Sequence, residues 1–191
     1  MAKDLTDQIG QHHFCYAQDL YAEKGKREQA LSEDYFLYRW WFPANSSIVE
    51  FIKTHLGKAY VNTLKQKKLK LADSKKEQIY YALYFGKTSQ GRTRFRQHIE
   101  GPIKQSTLRK TIRAILVLQG EKNPKEEDIS SILQHCCYEW IELVDDRELM
   151  DCYEAIAIAM GNYPLNIEGN HSVCTEWKNM ILQARNELKD F

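Results

Sequence analysis

The chain has 191 residues, 43% hydrophobic and 28% charged, which suits one globular domain or one domain with an extension. Nine Gly and four Pro exclude a collagen-like or low-complexity chain, and no apolar run approaches the ~18 residues of a membrane span. The net charge of +1 hides a split, because residues 53–113 hold 16 Lys/Arg against three acids while the remainder holds 11 against 23.

A basic middle in a balanced chain is the footprint of a face that binds a polyanion such as nucleic acid. The plainer reading is a solvated lysine-rich loop, which residues 65–76 alone could be. Met1-Ala2-Lys3-Asp4 opens without the apolar run of a signal peptide. The five Cys are scattered and form no disulfide framework, so a reducing, cytoplasmic setting is expected.

Residues 1–31 are polar, weakly periodic and helical in part. His12-His13 with Cys15 lacks a Cys-x-x-Cys partner and reads as packing, not as a zinc site. The aromatic segment 35–43 reads as a helix docked on the domain and stopped near Pro43; its sharper reading is a base-stacking surface. Ser47 and Glu50 form a capping box for a helix through Ile48, Phe51, Ile52 and Leu56, which Gly57 closes. Residues 58–64 read as a strand, and a lysine-studded connection leads to a second strand over 78–86, dense in β-formers. Regular alternation there would place Tyr80, Ala82 and Tyr84 on one face. Helices follow over 91–99, from Ser106 to Gly120, and after Asn123-Pro124. A third strand covers 137–144. A helix capped by Asp145 and Glu148 runs to Met160, and a last amphipathic helix carries Val173, Trp177, Ile181, Ala184 and Leu188.

These elements predict an α+β fold: a small three-stranded antiparallel sheet, made of a β-hairpin and a later strand, flanked by helices. The division expected is an N-terminal helical extension over 1–56, a core over 57–170, and a C-terminal helix over 171–191 packed on it.

Tyr84-Phe85-Gly86-Lys87-Thr88-Ser89 ends the second strand with a glycine beside a cation. Arg94 and His98 follow one helical turn apart, then Glu154 in a later helix, then the stiff Pro164-Leu165-Asn166. This ordered set resembles the GIY-YIG nucleases, most of all the compact type II restriction endonucleases of that superfamily. Tyr84-Phe85-Gly86 is similar to the second half of the family name. Lys58-Ala59-Tyr60 is the match for the first half, keeping its tyrosine. The resemblance covers roughly residues 57–167.

The chemistry asks for these residue types together. Phosphodiester hydrolysis needs an activated water, neutralised non-bridging oxygens and a stabilised leaving oxygen. A hard cation such as Mg²⁺ keeps several waters and takes one or two carboxylates. The resemblance implies a single-glutamate metal site at Glu154, with Mn²⁺ able to replace Mg²⁺. Arg94 suits the scissile phosphate. Tyr60 is the expected base, with His98 assisting, Lys87 and Arg94 supplying positive field, Tyr84 positioning water or phosphate, and Asn166 bracing the site. Arg92, Arg96, Lys104, Arg109, Lys110 and Arg113 are expected on the backbone of double-stranded DNA.

The function expected is a metal-dependent, site-specific DNA endonuclease of the restriction type, free of the membrane. A palindromic target would go with a homodimer or with monomers acting in succession. Base reading would fall to residues 1–56 and the 65–77 loop. The alternatives are a repair, mobile-element or phage-defence nuclease of the same superfamily, and a DNA-binding module that kept the fold and lost the chemistry. Taken singly, each site residue has a dull reading as surface charge or sheet cover; the ordered set is what carries the inference.

Overall fold

The computed structural model describes residues 9–31, 36–70, 77–142 and 147–188. In chain order these give β1 (Gln11–Tyr16), α1 (Ala17–Ala22), α2 (Lys24–Ala30), β2 (Phe36–Pro43), α3 (Ser47–Val61), β3 (Gln66–Lys70) and β4 (Glu77–Thr88). There follow α4 (Gly91–Ile99), a 3₁₀ turn (Ile103–Gln105), α5 (Thr107–Leu118), α6 (Glu126–Gln134), β5 (Cys137–Glu142), α7 (Arg147–Met160) and α8 (Thr175–Glu187). No described helix is long and apolar enough to cross a membrane.

The fold is α+β, as the sequence predicts, but the sheet has five strands and not three, in the order β1-β5-β2-β4-β3. Every neighbouring pair is antiparallel. The two additional strands, β1 and β2, come from residues expected to form a helical extension. β2 is the middle strand, and all eight of its residues are buried. Tyr38, Trp40 and Phe42 enter the larger core with Phe95 and Ile99 of α4, Ile112 of α5 and Trp177 of α8. Leu37 and Trp41 enter a smaller core with Met150 and Ala157 of α7. Arg39 sits among these apolar groups with no exposure, its guanidinium donating to Glu139 Oε2 at 3.0 Å. Trp41 Nε1–H donates to the same oxygen at 2.9 Å, so the buried carboxylate is both paired and hydrogen-bonded.

The expected strand over 58–64 is instead the end of α3, through Val61, and the turn after it. Gly57 does break the helical run, with φ 84° and ψ 156°, but the backbone returns to helix directly after it. Only glycine adopts that conformation without strain. The helix cap is Ser46, one residue before the expected position, and its side chain accepts Val49 N–H at 3.3 Å. The predicted hairpin exists as β3–β4, with its first strand at 66–70. The loop expected over 65–77 for base reading is in part strand, since 66–70 form β3 and Glu77 opens β4; its remainder at 71–76 and the Asp145 cap lie outside the described residues.

β4 carries a bulge that fixes the site. Trp40 pairs with Tyr84 and Trp41 with Ala82, so Leu83 is the extra residue. The alternation changes phase there. Leu83 and Tyr84 both reach the larger core, while Tyr80, Ala82 and Phe85 reach the smaller one. Tyr80 and Tyr84 therefore lie on opposite faces, against the regular alternation expected.

Candidate active site

Tyr38 of β2 pairs across the sheet with Gly86 of β4. A Cβ at position 86 would stand 2.6 Å from both Cζ and Oη of Tyr38. Glycine is thus required because the phenol ring lies where a side chain would be. Gly86→Ala is expected to displace the ring, costing about 1–3 kcal/mol as an overpacked site and most of any activity that needs the Tyr38 hydroxyl. A thermal melt together with a DNA-cleavage assay checks both.

The Tyr38 hydroxyl meets two side chains from α4. Arg94 Nε–H donates to it at 3.0 Å, and His98 Nε2 is hydrogen-bonded to it at 2.8 Å. Helical spacing puts these two on one face, as the sequence predicts. His98 Nδ1 is hydrogen-bonded to Ser106 Oγ at 2.7 Å. Ser106 caps α5, its Oγ accepting Arg109 N–H at 3.2 Å. Arg94 Nη1 is fixed by Gln97 Oε1 at 3.1 Å and the Gln105 carbonyl at 3.4 Å. Tyr84 completes the cluster, its ring centroid 6.3 Å from that of Tyr38 and its hydroxyl 2.8 Å from Thr107 Oγ1. Burial, and next Tyr84, push the Tyr38 phenol above its ordinary pKa, while the adjacent Arg94 cation works the other way. Burial, then Arg94 and Arg109, hold His98 well below its ordinary value, so its imidazole is neutral at neutral pH.

Lys87 of β4 reaches α7. Its ammonium lies 3.1 Å from Glu154 Oε2 and 2.8 Å from Asp151 Oδ1. Burial works to lower the Lys87 pKa, but the two carboxylates outweigh it and keep the ammonium charged. The Glu154 charge is also felt at the Tyr38 phenol, raising its pKa. Two carboxylates gathered on one cation form an oxygen donor set that suits a hard divalent ion, which takes one or two carboxylates and keeps its remaining waters. Among the described residues no group of three or more His, Cys, Asp or Glu forms a closed metal cage.

Asn166 braces β4 from outside. β3 pairs with β4 only as far as Tyr81, so the edge beyond would be bare. Leu165 N–H donates to the Leu83 carbonyl at 3.0 Å. The Asn166 amide then accepts Phe85 N–H and donates to the Phe85 carbonyl, each at 2.8 Å, as a neighbouring strand would. α8 ties into the same region: Trp177 Nε1–H donates to the Pro164 carbonyl at 3.0 Å, and Arg185 donates to the Thr107 carbonyl at 3.2 Å.

The structure therefore brings together Tyr84, Arg94 and His98, with Lys87 and Glu154 joined at the same end of the sheet on its α7 face and Asn166 behind the strand. It does not bring Tyr60 into this set. Tyr60 is on α3, half-buried against the larger core. Tyr38 is the tyrosine beside Tyr84, and the signal for it was Phe36-Leu37-Tyr38, an aliphatic–tyrosine pair in a run of β-formers. Ser106 was also missed as a site residue, although a serine just before an apolar helical stripe is a cap signal.

Among the expected phosphate contacts, Arg96 and Lys104 are exposed, and Arg92, Lys110 and Arg113 are half-buried. Arg96 Nε pairs with Glu100 at 2.6 Å. Arg109 is withdrawn from the set because it has no exposure. Its Nη1 donates to the carbonyls of His98 and Ile99 at 3.0 Å and to Ser130 Oγ at 3.1 Å, and its Nη2 to the Glu126 carbonyl at 2.8 Å. Arg109→Ala is expected to destabilise the fold by roughly 3 kcal/mol, because it orphans several buried acceptors at once. A denaturant titration reads this as a lowered midpoint; an unchanged midpoint with weakened DNA binding would restore Arg109 to the contact set.

A family model for the GIY-YIG catalytic domain matches residues 36–188. No curated protein and no solved structure matches the chain in the same comparisons. The match begins at the first residue of β2 and ends past α8, so it spans Tyr38, the whole cluster around it, and most of the chain. The chain belongs to the GIY-YIG catalytic domain family, a superfamily of nucleases.

Proposed function

We propose that this chain is a metal-dependent endodeoxyribonuclease that hydrolyses double-stranded DNA by in-line attack of an activated water, and that it cuts at specific sites as a type II restriction endonuclease. The observation that carries the reading is the Tyr38 phenol clamped between the Arg94 guanidinium and a neutral imidazole at His98. In that arrangement the phenol passes its proton to His98 Nε2 as it takes one from water. The resulting hydroxide attacks phosphorus as the bond to the leaving oxygen breaks. That oxygen leaves with the electron pair and is protonated from solvent, and His98 returns its proton through the phenol. Arg94 and Lys87 offset charge on the non-bridging oxygens, and Tyr84 positions the phosphate. Asn166 acts through β4, holding the strand that carries Tyr84 and Lys87.

GIY-YIG nucleases generally use divalent metals. Glu154, with Asp151 beside it, is the donor set that would hold Mg²⁺, and Mn²⁺ would substitute. Bound there, the ion supplies Lewis-acid stabilisation of the phosphate. Arg92, Arg96, Lys104, Lys110 and Arg113 would follow the DNA backbone. A cytoplasmic setting and a homodimer on a palindromic site belong to the same reading.

Site-specificity draws its support from charge. The cation excess is confined to residues 53–113, and the acid excess elsewhere limits indiscriminate association with DNA. The test is digestion of a sequenced plasmid with and without Mg²⁺, with cut ends mapped. Discrete fragments ending at one short motif are expected. A smear at limiting enzyme would overturn site-specificity, and an intact plasmid in Mg²⁺ and Mn²⁺ would overturn the nuclease reading.

A further inference from the structure

Ser106 belongs to no part of the chemistry assigned so far, yet it touches the proton path. We infer that Ser106 is a positioning residue for cleavage, its hydroxyl holding the proton of His98 on Nδ1 so that Nε2 stays open to the Tyr38 proton. The inference rests on the reading of Tyr38 and His98 as base and relay.

His98 and Ser106 are without exposure, so water does not substitute for a missing partner at Nδ1. The contacts run Tyr38 Oη to His98 Nε2 at 2.8 Å and His98 Nδ1 to Ser106 Oγ at 2.7 Å. A neutral imidazole has one N–H and one bare nitrogen, and the partner of one nitrogen decides the state of the other. Tyr38 can hand its proton to His98 only when Nε2 is bare, which requires the proton on Nδ1. The Ser106 oxygen has two lone pairs. One accepts Arg109 N–H at 3.2 Å, and the second is available to Nδ1–H. When Nε2 has taken the Tyr38 proton, both ring nitrogens carry hydrogens, and Nδ1–H still needs that acceptor. A hydroxyl also lets the ring return to neutrality, which a carboxylate in the same place would oppose.

The charged groups around His98 keep its resting state neutral, with a single ring proton to be placed on one nitrogen or the other. On its own helix stands Arg94, and from α5 comes Arg109; both are cations that oppose charging the ring. β2 and β4 present the phenols of Tyr38 and Tyr84. The acids of α6, Glu126 and Glu127, act on Arg109. Ser106 Oγ is the partner the structure supplies to Nδ1, and on our inference it is the acceptor.

The test separates positioning from helix capping, because Ser, Asp and Gly all serve at an N-cap while differing toward His98. Steady-state plasmid cleavage is measured over a pH series for wild type and for Ser106→Asp, Ser106→Gly and Ser106→Thr, with binding to uncut duplex measured in EDTA. Ser106→Thr keeps the hydroxyl and should restore near-wild-type kcat. Ser106→Gly should lose about 10²-fold in kcat, the low end of what a positioned base contributes, with duplex affinity unchanged. Ser106→Asp places a carboxylate on Nδ1, stabilises the imidazolium, and should move the acid limb of the pH–rate profile upward by about one unit or more. Wild-type kcat in Ser106→Gly with an unmoved acid limb in Ser106→Asp would overturn the inference. Tyr38→Phe and His98→Ala, assayed alongside, keep the two readings apart. If either cleaves like wild type, the base and relay assignment fails; if both are inactive while the Ser106 variants behave as caps alone, only the role of Ser106 fails.

Discussion

Tyr38→Phe is expected to lower kcat for DNA cleavage by 10²–10⁴-fold, the range a positioned general base contributes, while duplex binding in EDTA stays within a few-fold of wild type. The substitution removes one oxygen and leaves the ring packed over Gly86. Arg94 Nε–H and His98 Nε2 lose a partner, so some destabilisation, of order 1–3 kcal/mol, accompanies the loss. A melting curve at the assay temperature must therefore show the variant folded. Tyr60→Phe is the matched control. Its phenol is on α3, away from the Arg94–His98 pair, and its removal should leave kcat near wild type. The two variants together decide which tyrosine is the base. An inactive Tyr60→Phe beside an active Tyr38→Phe would reverse the assignment.

The part of the site that was legible in the sequence is the part that is local. Tyr84-Phe85-Gly86 closes a strand, Arg94 and His98 are one turn apart on the next helix, and each signal fits inside a window of a few residues. Tyr38 was hidden because β2 is buried on both faces. A strand covered on both sides shows a continuous apolar run with no period of two, and such a run does not distinguish strand from helix. Gly57 compounded the error. It does break the helix, as a glycine at positive φ would, but the helix resumes after one residue, so residues 58–64, Tyr60 among them, look like a strand in the sequence alone. The bulge at Leu83 left no mark in composition, yet it decides that Tyr84 and not Tyr80 faces Tyr38. Arg109 was legible in principle. It lies three residues before Ile112 and seven before Leu116, inside the apolar stripe of α5, where a cation is buried and bonded rather than solvated.

Glu154→Gln is the second substitution with a large expected effect: a fall in cleavage of about 10³-fold, with DNA binding largely intact. Glutamine keeps the shape of the side chain and an oxygen for the Lys87 ammonium, and the group is partly exposed, so a stability change beyond about 0.5 kcal/mol is not expected. What it removes is a charge. That charge has two possible consequences of opposite sign, and this makes the variant informative. The Glu154 carboxylate raises the pKa of the Tyr38 phenol. If it acted on the reaction only through that field, its neutralisation would make the phenol easier to ionise and cleavage no slower. If instead it holds the divalent ion, the loss is severe, and higher Mn²⁺ recovers part of it by mass action. Asp151→Asn supplies the comparison, because Asp151 meets the same ammonium from one turn earlier on α7. Near-wild-type cleavage by Glu154→Gln with an inactive Asp151→Asn would move the metal to Asp151, and activity in both would remove the ion from this end of the sheet.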